Sequence, residues 1–436
     1  MRLFLFAVVL ALPGSLLADW PQWRGPDSNG SAPKAKDLPA SWSQTENVLW
    51  RTATPSWSAA TPIVWGDRIF ITSAEQGSAR LKIDPASARE AGQQGRDKVF
   101  LLAVNRRNGA ILWQRQIDAE NILWRKQNSA SPSPVTDGER VWIMTGNGKF
   151  ACFTVDGKEV WKRDIQAEYG RFGLNHGYAS TPLLHGERLY VQVIHGFKTK
   201  DPSYVFAVDK STGKTVWKVV RPTGAVQESL DNYATPQIAV AGGKPQLVIS
   251  GADCVTGHDL TTGRELWRIR GFNPSGNPFN RTIASSLVIG DLVFTPSTRG
   301  RPFVAFRAGG EGDLTGRSEI WTNNAAADVP TPATDGKYLY ILKDNGTLTC
   351  LEALTGKVMY EGQRLEHGTY SASPLLADGK IYSVSEGGVT TAVKAGPAFE
   401  ILSTNTLDSL TLGSPVAVGN QIFIRTADYL YCIQKR

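Results

Sequence analysis

An all-β chain folded as an eight-bladed β-propeller of four-stranded antiparallel blades is what this sequence predicts. Three observations carry the prediction. A short phrase recurs eight times, the copies are spaced at about 40 to 50 residues outside one long insertion, and each copy runs on into the same alternation of strand-like runs and Gly turns. The phrase is a Ser or Thr, usually followed by Pro: Thr61-Pro62, Ser133-Pro134, Thr181-Pro182, Thr235-Pro236, Ser285-Ser286, Thr331-Pro332, Ser373-Pro374 and Ser414-Pro415.

Each phrase opens a first strand. Pro fits there because the innermost strand of a blade is a sheet edge, where a missing N–H costs little. A tight turn follows, such as Gly66-Asp67, Asp137-Gly138, Gly186-Glu187 or Asp378-Gly379. Gly, Asp and Asn tolerate the positive φ of such hairpins. The second strand is β-branched and aromatic, as in Ile69-Phe70-Ile71, Val141-Trp142-Ile143 and Tyr338-Leu339-Tyr340-Ile341. A third strand, a second Gly turn and a fourth strand bearing a large ring complete the unit. Gly109 leads to Trp113, Gly213 to Trp217 and Gly263 to Trp267. One such meander exposes an apolar face and two edges, and copies packed around an axis bury the faces and protect the edges.

The fourth-strand rings also count eight: Trp50, Trp113, Trp161, Trp217, Trp267, Trp321 and Tyr360, with Ile401-Leu402 as an apolar substitute. Trp50 precedes the first phrase, while the last phrase has no ring after it. An N-terminal strand around Trp50 is therefore expected to complete the final blade and latch the ring. A seven-bladed ring with one degenerate repeat is the alternative.

Three segments are expected: a signal peptide at 1–18, an extension at 19–47 wrapping the propeller rim, and the propeller at 48–436. Arg2, the apolar run 3–12 and the helix-breaking Pro13-Gly14-Ser15 before Ala18 fit an export signal. The run is too short to span a bilayer, and no Cys follows it for lipid attachment. A periplasmic or secreted protein, monomeric and without a transmembrane segment once mature, is expected. Trp20, Trp23 and Trp42 read as anchors on the wheel. Cys152, Cys350 and Cys432 stand where Ala103 and Ala207 stand in other third strands, and Cys254 lies on or near another. They read as buried small residues in separate blades, too far apart to bridge. The net charge of +7 is spread among acidic residues without a basic run, which argues against nucleic-acid binding.

Loops between blades, and between second and third strands, share one face. The segments just before each phrase should converge there on a central funnel, carrying Trp57, Asn128, His176, Tyr178, Asp231, Asn232, Tyr233, Arg281, Asp328, His367 and Tyr370. Aromatic and hydrogen-bonding groups gathered on one axis suit a ligand or partner. The same tyrosines also suit packing between blades, and the histidines suit capping of loop carbonyls.

The stretch 209–217, Asp-Lys-Ser-Thr-Gly-Lys-Thr-Val-Trp, resembles the PQQ-type repeat, whose pattern is Ala-x-Asp-x-x-Thr-Gly-Lys-x-x-Trp. Trp20-Pro21-Gln22-Trp23-Arg24-Gly25-Pro26, Leu38-Pro39, Trp42 and Ser180-Thr181-Pro182 resemble secreted bacterial PQQ-binding-like propeller proteins. The resemblance spans nearly the whole mature chain and implies the eight-bladed fold, but function must come from the site. The superfamily contains quinoprotein alcohol dehydrogenases, which hold PQQ and Ca²⁺ on the axis, and the assembly lipoprotein BamB. The vicinal cysteine pair of the dehydrogenases is absent here, as is a convincing Glu/Asn/Asp calcium set. Asp231 with Asn232 comes nearest, and Ca²⁺ wants six or more oxygens. The sequence therefore favours a non-enzymatic envelope scaffold, without cofactor, that binds a protein or glycan. The alternative is a PQQ/Ca²⁺ dehydrogenase of alcohols or sugars, with Asp231 or Asp328 as base and Arg281 at the quinone.

Overall fold

In the computed structural model, residues 19–75, 97–124, 126–296, 303–325, 327–407 and 409–436 are described. The expected signal peptide, most of the blade-one insertion and the 297–302 loop lie outside them. Eight antiparallel sheets carry the fold. Blade one is Ile63–Trp65, Arg68–Ala74, Val99–Asn105 and Ile111–Asp118. Blade two is Val135–Thr136, Arg140–Met144, Lys149–Thr154 and Glu159–Asp164. Blades three to seven repeat this order from Leu183–His185, Gln237–Ala241, Leu287–Ile289, Ala333–Thr334 and Leu375–Ala377. Blade eight takes Val416–Val418, Gln421–Arg425 and Tyr429–Ile433 from the C-terminus and Val48–Ala53 from the N-terminus. The pairing Trp50↔Cys432 latches the ring as the sequence predicts.

The recurring phrase has a physical role that its spacing only hinted at. The backbone N–H of each phrase Ser or Thr donates to the hydroxyl of the next one around the ring. Thr61 donates to Ser133, Ser133 to Thr181, Thr181 to Thr235 and Thr235 to Ser285. Ser285 donates to Thr331, Thr331 to Ser373, Ser373 to Ser414 and Ser414 back to Thr61. This closed belt satisfies the inner-edge N–H groups that the channel would otherwise strand, each bond contributing about 0.5–1.5 kcal/mol.

The Gly-to-Trp spacing is likewise an inter-blade device. The fourth-strand ring of one blade docks under the Gly turn of the next, where a Cβ would collide with it. Trp50 meets Gly109, Trp113 meets Gly157, Trp161 meets Gly213, Trp217 meets Gly263 and Trp321 meets Gly356. Each indole N–H then donates to a carbonyl of that turn: Arg106, Val155, Lys210, Leu260 and Ala353 respectively. Opposite the ring, on the third strand, stands a small residue: Ala103, Cys152, Ala207, Ala305, Cys350 or Cys432. All four cysteines are buried and free. Burial pushes the Cys152, Cys350 and Cys432 thiols up to about 12, so they are inert small residues.

Three blades depart from this pattern. In blade six the ring is Tyr360, which meets Phe399 edge-on at 5.5 Å rather than a Gly turn. In blade four, Trp267 turns inward over Gly257 and donates to Gln246 instead. Its docking slot is filled, because the 308–317 insertion of blade five lays Gly312–Asp313 parallel to Trp267 and Arg268. In blade seven the residue at the ring position is Ser403, paired with Ala392. Ile401 and Leu402 are exposed, so they do not substitute for the ring. Trp42 of the N-terminal extension supplies an indole instead, buried in one cluster with Tyr382 and Phe423. Its backbone N–H donates to Asn405, while Ser403 donates to Ala40 O.

The extension is more than a rim wrapping. Its first half crosses the axis on the face of the tight first turns. Trp20 bridges to Val64 of blade one, and Pro21 O accepts from Thr136 of blade two. Arg24 then reaches the far side, donating to Pro332 O at 2.6 Å and Pro374 O at 2.8 Å. Ser31–Ala32 adds a parallel strand inside blade seven. A chain with no repeat period thus plugs the narrow end of the channel, and only its second half follows blades seven and eight.

Candidate functional site

With one end plugged, the channel is a cup of about 350 Å³, within the range of ligand pockets. All eight phrase residues line it, with Trp23 of the plug. Among the expected funnel residues, His176, Tyr233, Arg281, Asp328 and Tyr370 reach its wall.

The others are placed elsewhere. Trp57 and Asn128 are buried between blades one and two, where the Asn128 amide donates to Trp57 O. Tyr178 packs against Phe172. Asn232 donates to Ser250 O and accepts from Ala234 N–H. His367 is exposed away from the cup. Proximity to a phrase brings a residue to the funnel, but the path of each segment decides whether its side chain turns into the lumen or between blades.

Asp231 is a strut rather than a wall. Its carboxylate accepts from the N–H groups of Asn175 at 2.7 Å, Gly196 at 3.1 Å and Phe197 at 3.2 Å. Burial pushes its carboxyl up to about 6, and the neighbouring Glu228 adds to the rise. A carboxyl raised in the folded state opposes folding once it is charged, so stability is greatest below the unfolded value and declines as pH rises through the folded one. Stability is expected to fall by up to about 3 kcal/mol between roughly pH 4 and 7 from this group. Urea midpoints across that range check it. Asp231→Asn should flatten the slope; an unchanged slope would remove Asp231 as its source.

Beside it, Glu228 gathers a second cluster. One carboxylate oxygen lies 3.3 Å from His176 Nε2 and 3.2 Å from Arg281 Nη1, and it accepts from the Asn175 amide at 3.2 Å. The His176 N–H donates to the Tyr233 hydroxyl at 3.0 Å. In the neighbouring segment Asp328 O accepts from Ala284 N–H, and the backbone N–H groups of Asp328 and Val329 donate to Asp344.

A two-stranded hairpin, Leu123–Trp124 and Gln127–Asn128, reaches over the mouth. Its Lys126 lines the cup and donates at 2.8 Å to Glu386, in the second-to-third-strand loop of blade seven, which also accepts from Ser371. Lys126 and Gln127 obey the same positional rule that marked Tyr233 and Arg281, so the sequence carried a signal for them. Asp344, Glu386 and Trp23 lie outside that rule and only the fold brings them in.

Asp231 and Asn232 are not arranged as a calcium pair. They spend their oxygens on backbone N–H groups. Among the described residues no three His, Cys, Asp or Glu converge to hold a metal.

The sequence profile described as "Outer membrane protein assembly factor BamB" matches residues 96–361 and 313–397. The chain belongs to this family of PQQ-like propellers. Among solved structures it is similar to BamB from Moraxella catarrhalis, at 16% identity and TM-score 0.59, covering 88% of this chain and 100% of that one. A europium-containing methanol dehydrogenase aligns at 12% identity and TM-score 0.67, covering 94% of this chain and 90% of that one. Quinohemoprotein alcohol dehydrogenase from Comamonas testosteroni aligns at 10% identity and TM-score 0.64, covering 96% and 80%. At such identities these likenesses speak for the fold alone. No curated protein matches the sequence significantly. No helix among the described residues is long and apolar enough to cross a membrane.

Proposed function

We propose that this protein is a non-enzymatic binding scaffold of the cell envelope, exported by its N-terminal segment, which presents the mouth of the cup to a protein or glycan. One observation carries the reading: four of the acidic groups around the cup act as struts. Asp231 and Asp344 hold backbone N–H groups, and Glu228 and Glu386 hold side chains of neighbouring segments. A general base needs a carboxylate free to reach the proton it abstracts, whereas a rigid receptor needs walls fixed in this manner. The family description, an outer-membrane assembly factor, supports a partner-binding role.

The test is capture from envelope extract with wild-type protein and with a mouth variant combining Lys126→Glu, Gln127→Ala and Thr369→Lys, all three residues lining the cup. Loss of the captured partner in the variant is expected, and identical capture would sink the reading. Quinone absorbance appearing on addition of PQQ and Ca²⁺, with dye reduction by an alcohol, would replace it with the dehydrogenase.

A further inference from the structure

The belt of phrase residues is also a ring of donors. A hydroxyl that accepts an N–H still carries a proton to give. Each of the eight Oγ atoms accepts one backbone N–H, and among the described residues none of the eight hydroxyls donates to a protein group. All eight line the lumen. Such a crown of O–H groups is complementary to an acceptor-rich group on the axis.

Directly beneath it lies a buried cation. Arg24 is 1% exposed, and its two acceptors, Pro332 O and Pro374 O, belong to the residues following ring members Thr331 and Ser373. Among the described residues burial alone acts on its ionisation, with no carboxylate opposing it. A guanidinium without a counter-charge in a dry site is unfavourable. A single anion in the cup above would offset it.

We propose that the cup binds the carboxylate of an acidic sugar, a uronate residue at the end of a glycan, with the carboxylate in the hydroxyl ring above Arg24 and the sugar ring against Trp23. This rests on the reading of the cup as a partner site. One buried positive charge calls for a monoanion rather than a doubly charged phosphate, since on the wall Asp328 and Asp344 balance Lys126 and Arg281 and leave no further positive charge. A peptide C-terminus is best held by a nest of backbone N–H groups, but every ring N–H is already spent. Sugar hydroxyls can both donate to and accept from the Ser and Thr side chains, and Trp23 in the lining supplies an apolar side chain for the sugar to pack against.

Calorimetry on the full mature chain with galacturonate, its methyl ester, galactose and a short peptide with a free C-terminus tests the assignment. Galacturonate should bind at least tenfold more tightly than its ester and galactose, and more tightly than the peptide. Arg24→Met should abolish the preference for acid over ester, and Arg24→Lys should restore part of it. The ligand series needs no variant, so misfolding of either leaves the test intact. Equal affinity for acid and ester, a tighter peptide, or no sugar binding overturns the uronate site. If capture from envelope extract still depends on the mouth in that case, the scaffold reading survives; if capture is indifferent to the mouth, that reading falls separately.

Discussion

Trp50→Ala is expected to lower unfolding stability by about 3–5 kcal/mol, the cost of emptying a packed indole site, as read from urea denaturation. The indole packs on Gly109, donates to Arg106 O at 2.9 Å and lies 6.1 Å from the Phe423 ring. Chemically the contact matches those of Trp113, Trp161, Trp217 and Trp321. Its topology differs, because in every other blade the fourth strand is joined to the third by a turn or loop, while in blade eight Val48–Ala53 comes from the N-terminus and its seam with Tyr429–Ile433 closes without chain continuity. Around Trp50 the seam is stitched by Thr52 to Gly109 O, by Arg106 to Gln421 and Val418 O, and by buried Arg425 to Ser56 O. Limited proteolysis should therefore cut Trp50→Ala within the first 55 residues under native conditions and leave Trp113→Ala intact there. Equal resistance of the two variants would mean that the seam is no weaker than any other interface.

Gly257→Ala should cost about 1–3 kcal/mol through overpacking, although Ala is the residue at this register position in blades one, three, five and seven. Repeat consensus, and the entropic benefit of replacing a strand Gly, both argue for stabilisation. The packing argues the other way. A Cβ at 257 would sit 2.0 Å from Trp267 Cε2. The indole is almost fully buried, donates to Gln246 at 2.7 Å and meets Phe306 edge-on, so it has little room to retreat. In a double-mutant cycle with Trp267→Leu, the penalty at 257 should shrink or change sign. A stabilised Gly257→Ala single mutant would contradict the inward placement of the ring.

The blades were legible because each is a local object. Ser/Thr-Pro at an inner edge, Gly or Asp in tight turns and a β-branched second strand follow from backbone sterics within about 20 residues, and repetition eight times made the pattern unmistakable. Even three of the four cysteines could be placed, since Cys152, Cys350 and Cys432 share a register position with Ala103 and Ala207. The site was half legible. The segments ahead of the phrases do reach the axis, and Tyr233, Arg281 and Tyr370 line the cup. Asp231, which the sequence offered as a base or calcium ligand, proved to be a backbone strut, because three N–H groups from two other segments find it first.

The sequence by itself determined the number of blades, their strand order and the closure by Trp50, all consequences of short-range patterning. Only the tertiary structure decided that the phrase hydroxyls link into one belt, that Trp rings dock forward onto the next blade, that Trp42 stands in for the ring missing at Ser403, and that the first half of 19–47, Arg24 included, plugs the channel. These are contacts between residues from 32 to 363 positions apart, made by groups whose own neighbours in the chain leave them free to point several ways. Their direction is fixed by which buried donor, acceptor or cavity they meet once the ring has closed.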